Sequence, residues 1–506
     1  EVNNRERVIR AIPELNAPSN HGQACFKGKF GFDYVNSKER IKAPLLRRGG
    51  ELQPASWEEA FQFIAERLPE YKGSEFALIA DARATNEELY VAQKFARVVM
   101  RSNNIDVSSN QRPGIFEGLA DVFGYYTGSG SISDLNHAAC VLAISTNLTE
   151  DLNVASLPIK QRTKSGMQKL IVIDSREVEL TRYSDLWLRP YPGTDLAVIG
   201  GMLKVIIDEG LADLDFVNSR SEGFDNLCDS LAPFTLAAVE QESGVPAYSI
   251  SAAARMFAEN APASIIYALD NSTGGTRRIT SRAIAEIALV TGNIGKIGAA
   301  VLPVRLGANE QGAWDVGCAW RMLPGSFPMT DTEALNQIEN QWGITLPEDP
   351  AIGIRGFSSA VKDGKIRAAF IMGDHPTYHD GTLENFHHAA ESLNFLIAVD
   401  AFLSPIAALA DVVLPAGTFL ETGGTYTNVE RRIQPLKKVF DLNLVNSLPG
   451  TQIISTIARH MGEQGFDFKT AEEIFTEIAE VVPQYRGISY KRLFEEAIVT
   501  ARPSPD

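Results

Sequence analysis

Two stretches decide the fold: Cys140-Val141-Leu142-Ala143-Ile144, running straight into Ser145-Thr146-Asn147, and Leu170-Ile171-Val172-Ile173, running into Asp174-Ser175-Arg176. Each is apolar at every position, short, and closed by a polar turn. A strand with one wet face alternates apolar and polar residues. A continuous apolar run is covered on both faces, as in a parallel sheet sandwiched between helices. The same plan recurs at Phe76-Ala77-Leu78-Ile79-Ala80, which ends in Asp81, and at Ala263 to Leu269, Ala368 to Met372 and Phe395 to Val399. Helical patterns separate these runs. Trp57 to Leu68 is amphipathic, and Asn86 to Met100 opens on the start signal Thr85-Asn86-Glu87-Glu88. The class is α/β with more than one parallel sheet. In such sheets ligands sit outside the carboxyl ends of the strands, so the polar turns are the expected contacts.

Composition narrows the field. At 506 residues the chain exceeds one ordinary core, and its 44% hydrophobic and 22% charged content is that of a soluble globular enzyme. A net charge of -16 argues against nucleic acid as the main partner, since phosphate binding needs a basic face. No apolar run reaches the ~18 residues needed to span a bilayer. No signal-peptide pattern opens the chain, yet it begins at Glu1 rather than methionine, so a processed or trimmed protein is expected. The expected location is the cytoplasm, or the periplasm if an export signal has been lost. The four cysteines, Cys25, Cys140, Cys228 and Cys318, form no CxxC pair, hence neither a disulfide framework nor a zinc site, and three of them are expected as small core residues. His375, His379, His387 and His388 cluster in sequence, but neighbours such as His387 and His388 should point apart on a helix, so no metal site is expected there.

The segment Asn20-His21-Gly22-Gln23-Ala24-Cys25-Phe26-Lys27-Gly28-Lys29-Phe30-Gly31 resembles the end of an iron–sulfur domain, where Cys-x-Lys-Gly follows three earlier cysteines. Later segments extend the likeness: Asn103-Asn104-Ile105-Asp106 and Gly118-Leu119; Ser145 to Glu150; Asp174-Ser175-Arg176; Pro192-Gly193-Thr194-Asp195; Thr291-Gly292-Asn293-Ile294-Gly295; Arg305 with Asn309 to Gly317; Gly373-Asp374-His375-Pro376; Asp400; Asp411 to Pro415; and Glu421 to Arg432. Any one is a common turn. Their order and spacing over residues 20–460 resemble the alpha subunit of a molybdopterin-dependent formate dehydrogenase.

The resemblance implies an α/β architecture of the formate dehydrogenase and DMSO reductase type. It has two interleaved, pseudo-symmetric domains: residues 45–104 with 305–465, and residues 105–304. Residues 1–44 would be the remnant of the iron–sulfur domain, residues 466–506 a helical segment and linker, and the family's C-terminal barrel would be absent. The implied cofactor is bis-molybdopterin guanine dinucleotide with molybdenum or tungsten. Lys27, Asn147, Thr149, Glu150, Asp174, Arg176, Gly193, Asp195, Arg305, Asn309, Gln311, Asp315, Gly373, Asp374, Asp400, Asp411, Asn428 and Arg432 stand at its contacts. The chemistry suits a polyanion: glycines admit backbone N–H groups to phosphate, strand-terminal aspartates accept from guanine or ribose, and arginines pair with phosphate.

The pattern departs from the family at the metal. Val107 to Glu117 holds no cysteine and no histidine. Counting back from Gly118 places Gln111 at the metal ligand and Arg112 at the histidine, and because the segment is one residue short, Ser108, Ser109 or Asn110 could move into register, with Ser109 the second ligand candidate. Glutamine ligates soft metals poorly, whereas a serine alkoxide is an accepted ligand in related oxotransferases. Counting back from Thr291 places the formate-binding arginine at Arg282. Cys25 alone cannot hold a 4Fe–4S cluster, which needs further cysteines ahead of residue 1. Two functions are therefore expected: a formate dehydrogenase-type subunit with impaired or no formate oxidation, or a non-catalytic structural subunit like the large subunit of respiratory complex I. Partners would be electron-transfer subunits carrying iron–sulfur or flavin groups, with formate as the small-molecule substrate of an active form.

Overall fold

The computed structural model describes residues 8–17, 20–111, 113–270, 272, 274–305, 307–373, 382–439, 446–496, 498 and 500. Two sheets organise it. The first is built from β1 (Leu45–Arg48), β2 (Glu51–Pro54), β3 (Phe76–Ala80) and β4 (Ile105–Val107). The chain then leaves to form the second sheet: β5 (Cys140–Ile144), β6 (Lys169–Ile173), β7 (Leu186–Leu188), β8 (Ala263–Tyr267) and β9 (Val301–Pro303). After a small hairpin, β10 (Met322–Leu323) with β11 (Phe327–Pro328), it returns to the first sheet with β12 (Ala368–Met372), β13 (Phe395–Asp400) and β14 (Val412–Pro415). A last hairpin joins β15 (Gly424–Thr427) to β16 (Ile433–Leu436).

The second sheet runs β7-β6-β5-β8-β9 with every pair parallel. The first runs β2-β1-β14-β13-β12-β3-β4. It is parallel from β14 to β4, while β1 and β2 form an antiparallel edge. That edge is a departure from the all-parallel expectation. Both sheets are doubly wound, and each has one point where the strand order reverses: between β5 and β8 in the second, between β3 and β12 in the first.

Burial explains the continuous apolar runs. In β5, Leu142 and Ile144 enter one core while Val141 and Ala143 enter the core on the opposite face. In β3 and β12, Leu78 and Phe370 face one way, and Ala77, Ile79 and Ile371 the other. Each large apolar side chain so enclosed contributes roughly 1.5–3 kcal/mol. Thr85 and Glu88 form the capping box read from the sequence; the helix it starts, Asn86–Lys94, passes into a π-helical turn at Phe95–Val99. Of the three cysteines expected in the core, Cys140 and Cys318 are buried, but Cys228 is half-buried on the short helix Phe224–Ser230.

The two sheets share a device at their amino edges. Asp185 accepts from the Leu170 N–H at 2.9 Å, tying β7 to the start of β6. Asp411 accepts from the Leu396 N–H at 2.8 Å, tying β14 to the start of β13.

Candidate functional site

The carboxyl end of the second sheet and the turn after β4 of the first open on one cleft, lined by Lys27, Ser109, Ile115, Asp151, Ala268, Asp270, Val304, Arg305 and Glu310. Ser109 follows β4 of the first sheet; Asp151 follows β5, Ala268 and Asp270 follow β8, and Val304 and Arg305 follow β9. The cleft thus lies at the switch point of the second sheet, where doubly wound folds take their ligands.

The turn carrying Ser109 is held from beneath. Asp106, buried in the middle of β4, accepts from the N–H groups of Val107 (2.9 Å), Trp320 (3.2 Å) and Ile354 (2.9 Å) and from the Asn110 amide (2.9 Å). Burial pushes its carboxyl up to about 6 against these bonds. Ser109 Oγ is buried without a hydrogen-bond partner among the described residues. The Gln111 side chain and Arg112 lie outside the described residues, as does Asp374.

Lys27 reaches the cleft from the short helix Phe26–Phe30, donating to the Glu150 carbonyl at 2.8 Å, and Cys25, a half-buried free thiol, precedes that helix. Asp151 titrates above its ordinary range because of burial, then the facing charge of Asp270, with Lys27 and Arg176 opposing. Arg305 is nearly buried over the Phe116 ring, 5.1 Å from its centroid. Its Nε donates to Glu310 Oε1 at 2.6 Å and its Nη2 contacts the same oxygen, while Glu310 Oε2 is buried with no partner among the described residues.

Arg282, the expected formate arginine, is not among the cleft residues. Its side chain is 55% exposed and pairs with Glu286 of the same helix, Gly274–Val290, at 2.8 Å. The helical period is the reason. Ser281 is the residue turned inward, hydrogen-bonded to the Ile115 carbonyl at 2.7 Å, so its neighbour is carried round to the solvent side with Arg278. Arg305 is the arginine the fold brings into the cleft.

At the second sheet's edge, Asp174 closes β6 fully buried. One carboxylate oxygen accepts from the Arg176 N–H at 2.8 Å, and the other has no partner among the described residues; burial raises its pKa. Thr146 Oγ1, after β5, is likewise buried and unpartnered. Asp195, at the head of the helix Asp195–Asp208, accepts from Ser145 Oγ at 2.6 Å and Ser272 Oγ at 3.1 Å, behind the positive-φ turn at Gly193. Half-buried Asn147 and Thr149 and exposed Glu150 lie in the same region, after β5.

At the first sheet's switch point, Asp81 ends β3 and holds the Arg83 guanidinium, its Nε at 2.8 Å. Gly373 ends β12 with φ +77, and a Cβ there would lie 2.8 Å from that of Asp81. Asp400 ends β13 and accepts from the Phe402 N–H at 3.2 Å. Asp411 belongs elsewhere: it sits at the amino edge, where it pins β13, and does not join these carboxyl-end residues.

Asn309, Gln311 and Asp315 spend their polar groups internally. Asn309 bridges the Ala84 carbonyl (2.9 Å) and the Thr427 N–H (2.7 Å), while Asp315 accepts from Gln311 (2.9 Å) and the Tyr485 hydroxyl (3.0 Å). Asn428 organises the last hairpin by accepting from the Arg432 N–H at 2.9 Å, and Arg432 pairs with Glu430 at 2.7 Å. Glu430 and Arg431 then tie that turn to Ile132 (2.7 Å) and Gly128 (2.6 Å) beside the second sheet. His387 and His388 do not point apart: both Nδ1 atoms approach Glu391, at 3.5 and 3.3 Å, on a helix that does not line the cleft.

Sequence reasoning placed Asp81 among the polar strand ends expected to meet a ligand without naming it as a site residue, and it missed Asp151, Asp270 and Glu310. Asp81 and Asp270 had a signal, since each closes or follows an apolar strand. Glu310 had none beyond an acid in a glycine-rich segment after Arg305.

The model of the molybdopterin oxidoreductase family matches residues 40–459. The chain belongs to the molybdopterin oxidoreductase family. Among molybdopterin oxidoreductases and related proteins, it is 38% identical over 496 residues to a probable oxidoreductase of Bacillus subtilis (strain 168), covering 96% of this chain and 50% of that protein. It is 36% identical over 489 residues to the alpha subunit of an F420-dependent formate dehydrogenase of Methanococcus maripaludis, covering 96% of this chain and 72% of that one. The chain thus spans about half the length of the Bacillus relative. Acetylene hydratase from Pelobacter acetylenicus shares the fold, with a TM-score of 0.74 at 21% identity over 96% of this chain and 70% of the other.

The residues present fit a molybdopterin cofactor, since buried polar groups stand without partners among the described residues at the carboxyl end of the second sheet. An acid at the end of the second strand of a doubly wound sheet is where a ribose diol docks. Asp174 stands there with a buried, unpartnered oxygen, beside the unpartnered Thr146 hydroxyl.

Proposed function

We propose that this chain is the cofactor-holding part of a formate dehydrogenase-type molybdopterin oxidoreductase, that it takes the pterin as two guanine dinucleotides, and that it oxidises formate weakly or not at all. One observation carries the proposal: two doubly wound sheets each offer a switch point at their carboxyl ends, and the cleft at the second sheet's switch point also takes in Ser109 from the first. Asp174, Thr146 and the Ser145–Asp195 pair would hold one nucleotide tail; Asp81, Gly373 and Asp400 would hold the other. Bound between them, the group would supply molybdenum or tungsten and its two-electron redox chemistry.

The chain's own residues set what that chemistry meets. Lys27 brings a cation to the cleft. Ser109 offers an oxygen donor where the family's thiolate is expected, and no cysteine is among the lining residues. Arg305 is already neutralised by Glu310, which removes the free cation that formate's carboxylate would seek. These two features also favour a second reading, a structural subunit of an electron-transfer complex. Relatives named as alpha subunits support partner subunits, which in this reading carry the iron–sulfur or flavin groups. A 4Fe–4S cluster would require cysteines to join Cys25.

Metal analysis and cofactor extraction on full-length, natively matured protein test the proposal. Molybdenum or tungsten with pterin is expected, together with little formate-dependent dye reduction. Absence of metal and pterin would establish the structural reading, and brisk formate oxidation would refute the impaired site.

A further inference from the structure

We infer that Glu310 is a specificity-determining residue: its carboxylate occupies the anion seat of Arg305 and closes the cleft to small carboxylates. This rests on the cleft being the reacting pocket. The side chains of Arg305 and Glu310 are 8% and 1% exposed, so the pair is not a solvated surface contact. Both Nε and Nη2 of the guanidinium converge on Glu310 Oε1. The edge of a guanidinium that carries Nε and Nη2 is where arginine pairs with carboxylates, and here both nitrogens are taken up by one oxygen of Glu310. The head group of Glu310 has the size and charge of formate.

The competition is unequal. Glu310 lies on the helix Glu310–Asp315, five residues from Arg305. A tethered carboxylate acts at an effective concentration of millimolar or above, and no entropy of association opposes it. A free carboxylate must displace it and leave Glu310 charged in a buried position, where a lone charge is costly. A ligand carrying no negative charge faces neither obstacle. The cleft thus keeps a family arginine while refusing the ligand class that arginine attracts.

Substitution reads this directly. Glu310→Gln keeps the side chain's shape and removes the carboxylate charge that faces the buried guanidinium. Sodium formate should then raise the melting temperature of Glu310→Gln and bind it about tenfold or more tightly than wild type, measured against sodium chloride of equal ionic strength. Arg305→Gln/Glu310→Gln should not respond to formate. If Glu310→Gln gives little soluble protein, formate in the growth and lysis media should restore its yield, and Glu310→Val should behave alike. Equal formate affinity in wild type and Glu310→Gln would overturn the inference, as would a double variant that responds like the single one, or failure of formate to restore either variant. Because the readout is anion binding, it stands whether or not pterin is found. A chain without pterin would sink the proposed function and leave this result intact.

Discussion

Asp106→Ala should cost the protein ~3–5 kcal/mol, because the side chain organises four donors at once. Its carboxylate accepts from three backbone N–H groups, of Val107, Trp320 and Ile354, and from the Asn110 amide, all in a buried setting. Orphaning each donor costs ~1–3 kcal/mol. Part of that is returned, since a rise of the carboxyl from 3.8 to about 6 means the charged form is held at a penalty of ~3 kcal/mol. Asp106→Asn separates the two effects. With its folded pKa raised, the wild-type carboxyl stabilises the fold fully below its unfolded value. That stabilisation drains away as pH climbs through about 6. Wild type should therefore lose up to ~3 kcal/mol relative to Asp106→Asn between about pH 4 and about pH 7. Urea unfolding of both proteins across that range is the assay. An Asp106→Ala midpoint within ~0.5 kcal/mol of wild type, or parallel pH curves for wild type and Asp106→Asn, would refute the reasoning.

Further outcomes are specific. Asp174→Asn should leave the melting temperature almost unmoved, because one of its oxygens has no partner among the described residues, but should lower retained pterin several-fold, measured by fluorescence of the extracted cofactor. Arg282→Ala should leave cofactor content alone and cost ~1–2 kcal/mol, since its exposed guanidinium pairs with the largely buried Glu286 of the same helix. Gly312→Ala should destabilise by ~2–3 kcal/mol, because the added Cβ would meet Asn86 Oδ1 at 2.0 Å and Asn309 Oδ1 at 2.2 Å; thermal unfolding checks it.

What the sequence made legible follows from which interactions are local. Runs such as Cys140–Ile144 report their burial on both faces, so the strands and the α/β class could be read directly. The capping box at Thr85 is a four-residue pattern and was equally plain. The register counts behaved differently. Arg282 was placed by distance from Thr291 along the chain, but one step on a helix is ~100°, and that step separates inward Ser281 from outward Arg282. The resemblance of the Asp411 to Pro415 segment points to Asp411 as a ligand contact, yet it stands at the start of β14 rather than the end, so it faces the wrong edge. Glu310 was invisible because its meaning comes from meeting Arg305 in a cleft that residues far apart in the chain enclose.

The most direct test of the account is the ratio of guanosine monophosphate to metal released by acid hydrolysis of the natively matured protein. Two doubly wound sheets, each with its own switch point, predict two nucleotides per molybdenum or tungsten. One nucleotide per metal, or neither nucleotide nor metal, would contradict it.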